Sequence, residues 1–124
     1  PQRVEGMLNA QMEIGQSMVQ GDKRPHLVAL IVPDETFAKS WATENGRTDA
    51  SLAMLIEDVG FRKEISAAID RVNEKLSVIE RVRRFTMTAE NFTIDNAMMT
   101  PTLKIRRHVI REGYGAALEK LYGG

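Results

Sequence analysis

Six consecutive apolar residues, Leu27-Val28-Ala29-Leu30-Ile31-Val32, decide more about this chain's architecture than any other stretch. The run is short, rich in β-branched residues and closed by Pro33, so it reads as a strand rather than a helix. Because it is apolar at every position instead of every second one, it predicts a central strand buried on both faces. Ile14 to Gln20, with Met18 and Val19 apolar, reads as a weaker strand just before it. Between the two, Gly21-Asp22-Lys23-Arg24-Pro25 has turn chemistry: glycine permits positive φ and proline interrupts strand pairing. The two strands are therefore expected to form an antiparallel hairpin.

Helical signals surround this hairpin. Pro1–Met12 reads as a helix with Val4, Met7, Leu8 and Met12 on one stripe. Asp34 is placed to cap a helix carrying Phe37, Ala38, Trp41 and Ala42, which Asn45-Gly46 ends. Thr48–Asp58 predicts a second short helix, and Gly60 separates it from the next. Phe61, Ile65, Ala68, Ile69, Val72, Leu76 and Ile79 then recur at helical spacing, predicting about five turns. Val82 to Met87 alternates and predicts a third strand, half-buried on the Phe85/Met87 side. Thr88 to Thr93 reads as a loop with Phe92 packed in. A last helix is expected from about Ile105 to Leu121, with Val109, Gly113, Ala116, Ala117 and Leu121 facing inward. The sum is one α+β domain over residues 1–124, a small three-stranded, mostly antiparallel sheet with helices packed on it.

Composition narrows the function classes. Lys+Arg and Asp+Glu are equal at 17 each, so net charge favours no polyanionic partner. Nucleic acid is not expected, because no aromatics interleave with the basic residues. Cysteine is absent, which excludes disulfides and thiolate metal sites. His26 and His108 lie far apart without ligand-like companions, so no metal site is expected. No apolar run approaches the ~18 residues of a membrane-spanning helix. The first residue is Pro1 rather than Met, which suggests a piece of a longer protein.

The stretch Asn96-Ala97-Met98-Met99-Thr100-Pro101-Thr102-Leu103-Lys104-Ile105-Arg106-Arg107 begins as loop chemistry and ends as helix chemistry. Asn96 is a turn residue, Pro101 fixes φ, and Thr100 and Thr102 are both candidate helix caps. Lys104 is thereby held near a loop-to-helix junction, where a lysine can be aimed at a ligand. The basic residues Arg81, Arg83, Arg84, Lys104, Arg106, Arg107 and Arg111 cluster in sequence, either as a solvated or interdomain face or as a surface for phosphates.

Thr-Pro-Thr-Leu-Lys-Ile-Arg-Arg resembles the C-terminal signature of AMP-forming acyl-CoA synthetases of the long-chain fatty-acid type, within the adenylate-forming superfamily. The wider superfamily pattern, Thr-x-x-Gly-Lys-x-x-Arg, falls on Thr100, Lys104 and Arg107, with Leu103 in place of the glycine. The run Gly21 to Pro33 resembles the family's central hairpin, and Pro1-Gln2-Arg3-Val4-Glu5 the segment just after its hinge. The resemblance implies the mobile C-terminal domain of such a ligase, with the hinge and the N-terminal adenylating domain outside this chain. It implies that Lys104 is the adenylation lysine and that Thr100 and Thr102 shape the loop around substrate and nucleotide. Arg106, Arg107, Lys23 and Arg24 would make interdomain or phosphate contacts. The implied substrates are a fatty acid, ATP and CoA, with Mg2+ accompanying ATP mainly on the other domain. The expected location is cytoplasmic, with peripheral membrane contact of the parent protein, and the domain alone is expected to be inactive. The reading from a different class is a free-standing α+β binding or interaction module that holds an anionic ligand or partner on its basic segment.

Overall fold

The computed structural model describes residues 1–123 as α1 (Gln2–Asn9), β1 (Ile14–Gln20), β2 (Leu27–Pro33), α2 (Glu35–Glu44), α3 (Leu52–Leu55), α4 (Val59–Asn73), a 3-10 turn (Val78–Glu80), β3 (Val82–Met87) and α5 (Arg107–Lys120). The sheet order is β1-β2-β3, so the apolar run is the middle strand. Its side chains divide between two cores. Ala29 and Ile31 join Val4 and Leu8 of α1, Trp41 of α2 and Phe61, Ile65 and Ile69 of α4. Val28, Leu30 and Val32 join Met18, Phe92, Met98, Ile110 and Leu118. The domain therefore has three layers: α1, α2 and α4 on one face of the sheet, and α5 with the long loop before it on the other.

The expected mostly antiparallel sheet is mixed. β1 and β2 pair antiparallel as a hairpin, whereas β2 and β3 pair parallel. The cause is the connection: α2, α3 and α4 form a crossover that returns the chain to the starting end of β2, which dictates a parallel neighbour. The hairpin pairing carries an irregularity between Ile14 and Gln16. Gly15 sits in it, and a Cβ there would lie 3.3 Å from the Val32 carbonyl oxygen.

Several element boundaries differ from the sequence expectation for local reasons. α1 stops at Asn9, and Met12 is 75% exposed instead of completing the stripe. Only Leu52–Leu55 is helical in the Thr48–Asp58 segment, capped by Ser51. Gly60 does not separate helices but lies inside the first turn of α4. That helix ends at Asn73, short of Ile79, because the Asn73 amide is committed to strand β3. Its Nδ2 donates to the Val82 carbonyl and its Oδ1 accepts from the Val82 N–H, both at 2.9 Å. Leu76 is buried beyond the helix end, but Ile79 is 84% exposed on the 3-10 turn. α5 begins two residues later than expected, and Val109 and Leu121 pack toward the second core as expected. Ile110 and Leu118 are its buried positions, while Gly113 and Ala116 face solvent.

Asp34 caps α2 as expected, accepting from the Phe37 N–H at 3.0 Å. Asp58 caps α4 in the same way through Phe61 and also accepts from Arg47 Nε at 2.7 Å. The Arg47 hydrogen bond, then the capping N–H, holds the Asp58 carboxyl below the usual carboxylate range. A carboxyl lowered in the folded state contributes stability above its unfolded pKa, and that stability is lost as pH falls through the folded value. Asp58→Asn keeps a good cap but removes the titration. Denaturant unfolding from about pH 2 to 6 is therefore expected to show a flatter acid limb for the variant than for the parent sequence.

Candidate functional site

The loop between β3 and α5 is built from its base upward. Phe92 is 2% exposed and Met98 8%, both seated in the core shared with α5. Between them Thr93 and Asn96 hold each other: Asn96 Oδ1 accepts from the Thr93 and Met98 N–H groups at 3.0 Å, and Thr93 Oγ1 accepts from the Asn96 N–H at 3.1 Å. The Asn96 amide also donates to the Asn91 carbonyl at 2.8 Å. Asn96 is thus more than a turn former, since its side chain organises three backbone groups.

Above this base, Met99 and Ile105 bridge antiparallel, and residues 100–104 close a narrow turn. The Thr100 N–H donates to the Lys104 carbonyl and the Leu103 N–H to the Thr100 carbonyl, both at 2.8 Å. Thr100 Oγ1 accepts from the Lys104 N–H at 3.1 Å and lies 3.1 Å from Thr102 Oγ1. Thr100 and Thr102 therefore do not cap α5, whose N-terminal residue Arg106 has no side-chain cap. Thr100 instead spends its hydroxyl on the backbone of Lys104 itself. The reason is geometric: the turn places both threonines several residues before the helix starts.

Leu103 has φ +63° and Ala97 has φ +65°, so two left-handed residues that are not glycine flank this turn. The first of them stands where the wider family pattern has glycine, and the backbone conformation accounts for that preference. Leu103 is 66% exposed and gains little from packing. Leu103→Gly relieves roughly 1–2 kcal/mol of left-handed strain against about 0.5–1 kcal/mol of added chain entropy. Denaturant unfolding is expected to show the glycine variant about 0.5–1 kcal/mol more stable.

Lys104 is exposed, and among the described residues it forms no ion pair. It lines a groove of about 330 Å³ with Gln2, Glu5, Gly6 and Asn9 of α1, and with Ile105 and Arg107. Arg107 is committed to the interior. Its two terminal nitrogens donate to Glu5 Oε2 at 2.8 Å and Oε1 at 2.5 Å, and to the Val19 carbonyl at 3.1 Å. Glu5, 6% exposed, also accepts from the Val19 N–H at 2.6 Å. Arg106 donates to the Ala97 carbonyl at 3.2 Å and so braces the loop.

Lys23 and Arg24 lie elsewhere. Lys23 occupies the hairpin turn at φ +59°. Arg24 pairs with Glu119 and stacks 4.7 Å from the centre of the Tyr122 ring. Glu119 lies in the last turn of α5 and Tyr122 just beyond it, so most of that 14-residue helix, about 21 Å long, separates them from Lys104. Arg83 and Arg84 are also apart, on β3 at the opposite sheet edge from β1, lining a second groove with Arg62, Ser66 and Asp70. The basic segment that is continuous in sequence is thus distributed over separate surfaces. Glu5 and Gln16 were not legible as site residues. The only sequence signal was a carboxylate, Glu5, set beside the apolar stripe of α1.

A small α+β domain that presents a lone lysine on a strained, hydrogen-bonded turn beside a groove is a distinctive class. A family model described as the AMP-binding enzyme C-terminal domain matches residues 1–124. Long-chain-fatty-acid–CoA ligase FadD15 of Mycobacterium tuberculosis is 34% identical over 98% of this chain, and human long-chain-fatty-acid–CoA ligase 6 is 29% identical over the same share. The chain spans about a fifth of their lengths, 20% and 18%. Among solved structures, the adenylation domain of the carboxylate reductase from Mycobacterium chelonae matches 99% of this chain and 18% of its own, at TM-score 0.78 and 23% identity. That likeness bears on the fold alone. The chain belongs to the AMP-binding enzyme C-terminal domain family.

Proposed function

We propose that this chain is the C-terminal lid domain of an AMP-forming long-chain fatty-acid–CoA ligase and that Lys104 is its adenylation lysine. The observation that carries the reading is the placement of Lys104: exposed, without an ion pair among the described residues, and fixed at its own backbone by Thr100. In the first half-reaction a fatty-acid carboxylate attacks the α-phosphate of ATP, giving an acyl-adenylate and pyrophosphate. Two anions approach each other, and a compact ammonium directed at the carboxylate and bridging oxygen stabilises the developing charge. Thr100 and Thr102 set the shape of the turn that carries the ammonium. In the second half-reaction the CoA thiolate displaces AMP, and rotation of this domain withdraws the lysine and presents another face.

The partner is an N-terminal adenylating domain of the same protein, which binds ATP and the fatty acid. Among the described residues no group of three His, Asp or Glu side chains is placed to hold a metal ion. The family resemblance assigns the Mg2+ that travels with ATP mainly to that other domain. No helix among the described residues is long and apolar enough to cross a membrane. The proposed cytoplasmic location, with peripheral membrane contact of the parent protein, rests on the family resemblance alone, and fractionation of the parent protein tests it. The preference for long acyl chains rests on the Thr-Pro-Thr-Leu-Lys form at 100–104 and on the similarity to long-chain-fatty-acid–CoA ligases.

The test is reconstitution. The 124-residue chain alone is expected to release no pyrophosphate from ATP and a fatty acid. Mixing it with the remainder of the parent protein is expected to restore thioester formation. A parent gene encoding no adenylating domain upstream of this chain would sink the reading.

A further inference from the structure

The turn that carries Lys104 is fastened on both sides to one strand, β1. Downstream, Arg107 holds the Val19 carbonyl and the Glu5 carboxylate. Upstream, the half-buried Gln16 meets Phe92 with both ends of its amide. Its Nε2 donates to the Phe92 carbonyl at 2.9 Å, and its Oε1 accepts from the Phe92 N–H at 2.8 Å. The same Nε2 lies 3.6 Å from Met99 Sδ, the residue that pairs with Ile105 across the base of the turn. Gln16 follows the irregularity at Gly15, where the strand bends against β2.

We propose that Gln16 is a positioning residue for Lys104, a role resting on the reading of Lys104 as the adenylation lysine. The chemistry of the contact explains the residue type. A backbone N–H and C=O of one residue require a side chain that both donates and accepts, which a primary amide does and a carboxylate or thioether does not. Phe92 is thereby held against β1 at its backbone as well as by its ring, and the segment from Met98 to Lys104 is built upward from that anchor. Loosening the anchor lets the turn move without removing any group that touches substrate. A displacement of about 1 Å at the reacting group costs on the order of 10²-fold in rate.

The experiment uses the full-length protein in five forms: parent, Gln16→Ala, Gln16→Glu, Lys104→Ala and the double variant Gln16→Ala with Lys104→Ala. Each is assayed for pyrophosphate release from ATP and a fatty acid, and for thioester formation from supplied acyl-adenylate and CoA. Gln16→Ala is expected to lower adenylation turnover by about 10- to 100-fold, with thioester formation within about twofold of the parent. In the Lys104→Ala background the same change is expected to have no further effect on adenylation, because Gln16 acts only through the lysine. Gln16→Glu, which loses the donor, is expected to reproduce the loss.

Equal decline of both half-reactions in Gln16→Ala overturns the proposal in favour of general destabilisation, as does an effect that persists undiminished in the double variant. If Lys104→Ala lowers adenylation and Gln16→Ala does not, the positioning role alone fails. If Lys104→Ala leaves adenylation intact, the underlying reading of the lysine fails and takes the positioning role with it.

Discussion

Replacing Lys104 with alanine in the full-length protein is expected to lower the rate of acyl-adenylate formation on the order of 10²–10³-fold. Thioester formation from supplied acyl-adenylate should be nearly unchanged. The magnitude is that of removing one preorganised charged donor from a site where negative charge develops, about 3–4 kcal/mol of transition-state stabilisation. The asymmetry between half-reactions is the informative part. A lysine needed for folding would depress both, whereas an ammonium used only while carboxylate and α-phosphate approach each other depresses the first. Lys104→Arg should not restore the rate. A guanidinium is broader and planar, and a turn closed by the Thr100–Lys104 hydrogen bonds leaves the side chain little freedom to adjust. Separate measurement of pyrophosphate release and of thioester yield decides the matter, and survival of the first step in Lys104→Ala would reduce the residue to an ordinary surface lysine.

The second large effect is on stability. Arg107→Ala removes the partner of a carboxylate that is 6% exposed, leaving Glu5 with the Val19 N–H as its remaining hydrogen bond. Breaking a buried pair from one side strands a charge, and such losses run to about 3–5 kcal/mol. The Arg107 side chain is itself 25% exposed, so water reaches part of the site and the expected loss falls to about 2–3 kcal/mol. Denaturant unfolding of the 124-residue chain measures it. The double variant Glu5→Gln with Arg107→Met should recover much of the loss, because no unpaired charge remains. If Arg107→Ala costs less than about 0.5 kcal/mol, the pair is an incidental surface contact.

The hairpin, the central position of β2 and the Asp34 cap were legible because each rests on local chemistry, whereas the Asp58 cap of α4 was not read from the sequence. An unbroken apolar run puts apolar side chains on both faces of its strand, and Asp34 stands three residues before Phe37, within reach of its N–H. The parallel pairing of β3 was not legible, since it depends on where a crossover of three helices delivers the chain. The end of α4 was hidden for a related reason: the helical spacing continues through Leu76, but Asn73 is claimed by Val82 on β3. The later start of α5 follows from Ile105 pairing with Met99 across the base of the turn instead of entering the helix. The placement of Lys104 just before the last helix was legible from Asn96 and Pro101, but the commitment of Thr100 to the Lys104 backbone was not. Nor were Gln16 and Glu5, because their partners lie 76 and 102 positions away and only the fold brings them within reach.

The Glu5–Arg107 pair joins residues 102 positions apart, across almost the whole chain. During synthesis α1 emerges before α5, and its carboxylate has no guanidinium to meet until α5 is made. Contacts between such distant positions form late, because a long loop must be closed before they return any energy. The lysine turn is thus among the last parts of the domain to acquire its shape. A chain terminated before α5 would retain the hairpin and the helices of the first core, yet would leave a carboxylate stranded on α1 and the second core open. Incomplete translation products should accordingly be recognised as misfolded, not persist as a lid without its last helix.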